Sequence, residues 1–258
     1  MNTLSLNIQV NMPTTPIPMP DADRLTSKFI RVLQALPAEQ SDDDITLREA
    51  HIHRGEQRYL VNDALPLLRR LAAHGAPQEF VPGRPETEVT TIYMDTPEGT
   101  WSVGNSSVKF RCRSYQNPQL WWFEMKRRAN TTVDKWRQPL ATAALPELVT
   151  GETRWHALKS VIGARRLLPI VAVRYWRIAF EWPGLRVTVD REVAFHAVSP
   201  SAPHRLGEKI GGVNDFVVEV KPSAEVPAWL ASELLHYPIN QLSKSKRALE
   251  ARSSASGN

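Results

Sequence analysis

Polar and apolar residues alternate through most of the middle of this chain. In VKFRCRSY, residues 108–115, an extended backbone places Val108, Phe110 and Cys112 on one face. Lys109, Arg111 and Arg113 then fall on the other, because successive side chains of a strand point to opposite sides. In WWFEMKR, Trp122, Glu124 and Lys126 oppose Phe123 and Met125. In LRVTVDR, Arg186, Thr188 and Asp190 oppose Leu185, Val187 and Val189. In FVVEVK, Glu219 and Lys221 oppose Phe216, Val218 and Val220, and in GEQRYLV, Glu56 and Arg58 oppose Tyr59 and Val61. Tyr175 and Arg177 share a face of VRYWRIAF. The runs TEVTTIYMD, TWSVG and TTVDKWRQPL also read as strands. The links TPEGT, YQNPQ and EWPGL are short and rich in turn formers, which predicts antiparallel pairing of successive strands.

Helical periodicity is confined to a few segments. NDALPLLRRLAAHG offers Asn62 or Asp63 as cap and Gly75 as stop. Further helices are expected near 22–36, near 144–162, in VPAWLASELLH and in SKSKRALEARSS, where Ser243 is the N-cap. Lys244 then sits in the first turn of the last helix, against the positive end of its dipole, at a cost of about 0.3–1 kcal/mol. On that reading Lys244→Ala leaves the ligand-free protein no less stable.

Charged faces on one strand mean only a half-solvated sheet. Cationic faces on neighbouring strands mean more, because like charges placed opposite one another destabilise a ladder. About eight such strands can close into a barrel. The expected fold is therefore α+β: a closed antiparallel barrel forming a tunnel, with charged faces inward and helices packed outside. Buried like charges call for a counter-charge, and arginine forks match phosphate oxygens in pairs. Carboxylates in such a lining can hold a divalent cation that bridges phosphates.

Composition narrows the picture. The formal net charge is +5, which favours an anionic partner without choosing it. The single cysteine, Cys112, forms no disulfide within the chain and lies on the apolar face of its strand as a small hydrophobe. No apolar run is long enough to span a bilayer, and the N-terminal stretch lacks the features of a signal peptide. The chain is expected to be cytoplasmic. Residues 1–20 and 253–258 read as disordered tails around one domain, 21–252. No P-loop sequence is present. His51 and His53 read as surface histidines, and Trp121, Trp122, Trp136 and Trp176 as packing groups.

Taken in order, GEQRY, TIYMDTP, VKFRCRSY, FEMKRR, DKWR, VRYWRIAF, RVTVD, VVEVK and QLSKSK resemble the VTC domain of polyphosphate polymerases. That domain belongs to the wider triphosphate tunnel metalloenzymes, which include CYTH-like proteins. The resemblance runs from about Arg54 to Glu250. It implies transfer of the ATP γ-phosphoryl group to a growing inorganic polyphosphate chain, with manganese or magnesium as cofactor. It implies catalytic roles for Arg111, Arg113, Lys126 and Arg177. Arg58, Arg137, Arg186, Lys221, Lys244 and Tyr175 would bind the triphosphate or polyphosphate, and Glu219 the metal. Arg58 stands where a lysine is usual, and Gln241 where a further basic residue often sits. A tripolyphosphatase or nucleoside triphosphatase of the same fold, a polyphosphate-binding module without turnover and a single-stranded nucleic-acid binder are the alternatives. Partners are then ATP and polyphosphate, with no nucleic acid and no membrane segment.

Overall fold

The alternating segments pair as one antiparallel sheet. The structure, a computed structural model, describes residues 47–52, 55–79, 83–99, 108–116, 120–129, 132–142, 145–146, 166–222, 225–240 and 243–255. Its strands are β1 (Leu47–Ile52), β2 (Gln57–Val61), β3 (Glu86–Asp95), β4 (Val108–Tyr115), β5 (Leu120–Ala129), β6 (Thr132–Ala141), β7 (Leu168–Trp182), β8 (Leu185–Ser199), β9 (Ala202–Val213) and β10 (Phe216–Pro222). Its helices are α1 (Leu65–His74), α2 (Ala228–Leu234) and α3 (Lys244–Ala255). The strand order is β1-β6-β5-β4-β3-β7-β8-β10-β2, with β9 paired to β8 off that path. The segments expected at 22–36, at TWSVG and at most of 144–162 lie outside the described residues, as do His53 and Gln241.

The two edges of this order, β1 and β2, are consecutive in the chain. Each step across the sheet is antiparallel, so β1 and β2 run the same way. Ile52 and Gln57 are five residues apart, which spans at most about 18 Å even when extended. The sheet must therefore curl until its edges approach. No hydrogen-bonded pairing joins β1 to β2 among the described residues. The expected closed barrel of about eight strands is thus corrected to a curled 10-stranded sheet whose ladder is open at one seam.

The apolar faces build the core on the convex side. Ile92, Met94, Phe110, Cys112, Phe123 and Met125 pack together under β3, β4 and β5. Val187, Val189, Val218 and Val220 pack against Leu67 and Leu71 of α1 and Leu230 and Leu234 of α2. Asp63 Oδ1 accepts from the Leu65 amide at the start of α1 (3.0 Å). Gly75 follows α1 in extended backbone, where only glycine fits: a Cβ there would lie 2.7 Å from the Trp182 indole nitrogen, which itself donates to the His74 carbonyl.

Among the described helices, α1 and α2 follow the expectation that helices pack outside. Ala248 of α3 buries with Val89, Val173, Tyr175 and Val217, whose side chains share the face of the charged residues. The concave face is therefore apolar and helix-covered at one end and charged beyond it. Ser243 caps α3, its hydroxyl accepting from the Lys246 amide at 3.3 Å. The helix continues past the expected boundary at residue 252, with the Ser253 and Ser254 hydroxyls bonded to the Leu249 and Glu250 carbonyls. Cys112 is buried, and burial pushes its thiol well above the usual range.

Candidate anion-binding site

Register converts the strand faces into cross-strand rows. Lys109 of β4 lies opposite Lys126 of β5, which lies opposite Lys135 of β6. The next row is Arg111, Glu124 and Arg137, and the one after it starts with Arg113 opposite Trp122. A row of three lysines places like charges where they repel. On the other half of the sheet, Arg177 faces Asp190, Glu219 lies between Thr188 and Arg58, and Lys221 is opposite Arg186. The curl brings the halves within electrostatic reach, since Lys126 of β5 acts on Glu56 just before β2.

Each buried carboxylate is enclosed by cations. Glu124 is only 2% exposed. Its Oε2 lies 2.5 Å from Arg111 Nε and 3.8 Å from Arg113 Nη1, and its Oε1 lies 2.9 Å from Arg137 Nε. Burial raises its affinity for a proton, but these arginines outweigh burial and hold it far below the usual carboxylate range. Asp190 takes Arg177 in bidentate fashion, at 2.6 and 2.7 Å, and accepts from Lys244 Nζ at 2.6 Å. Glu219 receives Lys244 Nζ at 2.7 Å and Lys221 Nζ at 3.1 Å, with Arg58 at 3.6 Å and Arg177 at 3.8 Å. Both carboxyls are lowered by these cations against the opposing effect of burial.

The sequence-derived residues are thereby sorted. Arg58, Arg111, Arg113, Lys126, Arg137, Arg177, Arg186, Lys221, Lys244 and Glu219 all come from the one charged face or from the start of α3. Lys244 departs most from its expected role. Its side chain is 7% exposed and its ammonium bridges Asp190 and Glu219, so it neutralises two acids where the resemblance implied a phosphate contact. Tyr175 is buried, and its ring lies 5.1 Å from the Arg177 guanidinium and 5.3 Å from the Lys244 ammonium. It supports those cations by cation–π attraction and offers no open face for a base. Trp122 carries Arg137 over its ring at 4.9 Å. Sequence reasoning did not single out Glu56, Lys135, Glu124 or Asp190 as site residues. Glu56, Glu124 and Asp190 stood in the alternating pattern, but only the register shows the last two opposite arginines.

What remains over is donor capacity. Arg58 Nε, Arg137 Nε and Arg186 Nε are buried without a hydrogen-bond partner; the Arg137 contact with Glu124 is an ion pair out of line for a hydrogen bond. A buried guanidinium nitrogen without an acceptor is costly, and these are positions an anion's oxygens could satisfy. Metal chemistry fits less directly. Among the described residues no cluster of three or more His, Cys, Asp or Glu side chains can hold an ion. Both oxygens of Glu219 are engaged by lysines. A small hard cation can make do with one or two carboxylates when phosphates complete its shell, so the residues fit only an ion carried on a substrate's phosphates.

The lowered carboxyls carry a pH prediction. A depressed folded value contributes stability above the unfolded value, about 4 for Asp and Glu, and loses it only as pH falls through the folded one. Carbon-13 titration of the carboxyl side chains should find Glu124, Asp190 and Glu219 losing their charge at lower pH than solvent-exposed carboxylates do. Midpoints above 4 for these three groups would contradict the pairing.

The site is thus a cationic face on a curled antiparallel sheet. The chain belongs to the VTC domain family, whose description matches residues 53–250. No curated protein sequence matches it. Similar solved structures include a protein from Bacillus halodurans provisionally described as an adenylate cyclase (14% identity, 75% of this chain and 94% of that one, TM-score 0.48). Another is a Hippeastrum protein, provisionally an adenylyl cyclase, reported to have dominant triphosphatase activity (14%, 77% and 95%, TM-score 0.46). A third is a protein of Pyrococcus horikoshii (12%, 78% and 99%, TM-score 0.45). No helix among the described residues is long and apolar enough to cross a membrane.

Proposed function

We propose that the chain is a polyphosphate polymerase that transfers the γ-phosphoryl group of ATP to the end of an inorganic polyphosphate chain. The observation that carries this reading is the set of buried arginine donors on the concave face left without acceptors: Arg58, Arg137 and Arg186. Membership of the VTC domain family supports the substrate class. A terminal phosphate oxygen of the growing chain attacks the γ-phosphorus in line. The bond from phosphorus to the β–γ bridging oxygen breaks, and its electron pair leaves with ADP. Arg111, Arg113, Lys126 and Arg177 stabilise charge on the transferring group. Arg58, Arg137, Arg186 and Lys221 align the chain on either side. A divalent ion, when bound, adds Lewis-acid neutralisation of the phosphate oxygens. No protein nucleophile takes part, and Cys112 lies on the opposite, apolar face.

Purified protein incubated with ATP and Mn²⁺ should give long phosphate chains on a urea gel. Orthophosphate alone would make it a triphosphatase, and binding without turnover would make it a binding module. Glu219→Gln tests the carboxylate role: metal-dependent ATP turnover should fall at least tenfold. Unchanged turnover and unchanged metal dependence would remove Glu219 from any metal site.

A further inference from the structure

Glu124 has no part in the transfer step above, yet three arginines enclose it. Antiparallel register sets it directly between Arg111 and Arg137. Both arginines approach through Nε, the nitrogen nearest the stem. Their outer Nη1 and Nη2 groups have no protein partner among the described residues. Arg113, which repels Arg111 from two positions along the same strand face, is held by Glu124 Oε2 and also by Thr91 Oγ1 at 3.1 Å. Asp190 likewise holds Arg177 through Nε and Nη2, so Nη1 is the nitrogen it leaves over. One cation would suffice to neutralise one carboxylate. A carboxylate facing three, hydrogen-bonded to Arg111 Nε and ion-paired with Arg137 and Arg113, restricts where their guanidinium groups can sit.

We propose that Glu124 is a positioning residue: it fixes Arg111 and Arg137 so that their outer nitrogens converge on one phosphoryl group, beside Arg113, whose Nη1 is taken up by Glu124 and Tyr115. This rests on the reading of the concave face as a triphosphate site. Glu124 contacts neither substrate nor metal. Its effect on anion affinity is therefore opposite in sign to that of the arginines it holds. A charged acid in the lining opposes anion binding, whereas an oriented arginine favours turnover.

The test compares Glu124→Gln and Glu124→Asp with wild type in the full chain. It uses steady-state ATP turnover and calorimetric binding of tripolyphosphate without divalent metal. In Glu124→Gln the lining gains one net positive charge, so tripolyphosphate should bind as tightly as in wild type or more tightly. The kcat should fall about tenfold to a hundredfold, the range expected of slight misplacement of charged groups, with KM unchanged or lower. Tripolyphosphate should also raise the melting temperature of Glu124→Gln more than that of wild type, because the ligand now neutralises arginines that have lost their carboxylate. If Glu124→Gln does not fold, Glu124→Asp decides: it keeps the charge but is one methylene too short to reach both neighbours, and should retain affinity while losing kcat. Affinity falling together with kcat in a folded variant overturns the proposal, as does unchanged kcat in both. If wild type neither extends polyphosphate nor hydrolyses triphosphate, it is the transfer reading that fails. Positioning is then judged on binding alone, and weaker tripolyphosphate binding by Glu124→Gln overturns it.

Discussion

Lys244→Ala is expected to cost about 3–5 kcal/mol of folding stability, the range measured when one partner of a buried ion pair is removed. The Lys244 ammonium lies 2.6 Å from Asp190 Oδ2 and 2.7 Å from Glu219 Oε1, and the side chain is nearly sealed from water. Without it both oxygens lose a charged donor at once. Arg177 still holds Asp190 and Lys221 still reaches Glu219, which places the cost toward the lower end. The helix dipole works the other way, since a cation in the first turn of α3 is unfavourable by about 0.3–1 kcal/mol. The ion pairs outweigh it severalfold, so the sign expected from sequence alone is reversed. Denaturant unfolding of the ligand-free protein is the measurement, and a variant as stable as wild type would mean that Lys244 does not bridge the two acids. The rise in melting temperature caused by tripolyphosphate should persist in the variant, because the ammonium is already engaged by carboxylates.

That reversal shows what a strand pattern conveys and what it omits. Period-two alternation located β2 to β8 and β10, because each has an apolar face facing a continuous core. It missed β1, LREAHI, whose neither face is consistently apolar. It missed β9, APHRLGEKIGGV, because a proline and three glycines read as loop. Two of those glycines permit close pairing: a Cβ on Gly207 would meet the Ala197 carbonyl oxygen at 2.9 Å, and one on Gly212 the Val193 carbonyl oxygen at 2.6 Å. The basic residues of the site were legible because charge on a strand face is a local property. The roles of Glu124 and Asp190 were not, since each depends on which residue of the next strand stands opposite. The same holds for α3. Its sequence marks a capped helix, but only tertiary packing puts it on the concave side, where Lys244 meets acids from β8 and β10.

The largest effect on binding is expected at Arg111. Its side chain is about a quarter exposed and meets Glu124 through Nε. One charge-assisted hydrogen bond to phosphate contributes roughly 1.5–3 kcal/mol, so Arg111→Ala should weaken tripolyphosphate binding about tenfold to a hundredfold. The fold should tolerate the change better than it tolerates loss of Lys244, because Glu124 keeps Arg137 at 2.9 Å and Arg113 at 3.8 Å. Arg111→Lys separates charge from geometry. A lysine keeps the positive charge but has no planar fork to be gripped at one nitrogen while presenting two others. It should recover part of the affinity and little of the turnover. Calorimetry of tripolyphosphate against the three proteins at one fixed salt concentration makes the comparison, since screening weakens every contact of this kind. Equal affinity in wild type and Arg111→Ala would exclude Arg111 from the phosphate site. Full turnover in Arg111→Lys would show that charge alone matters there, and that the orientation imposed by Glu124 does not.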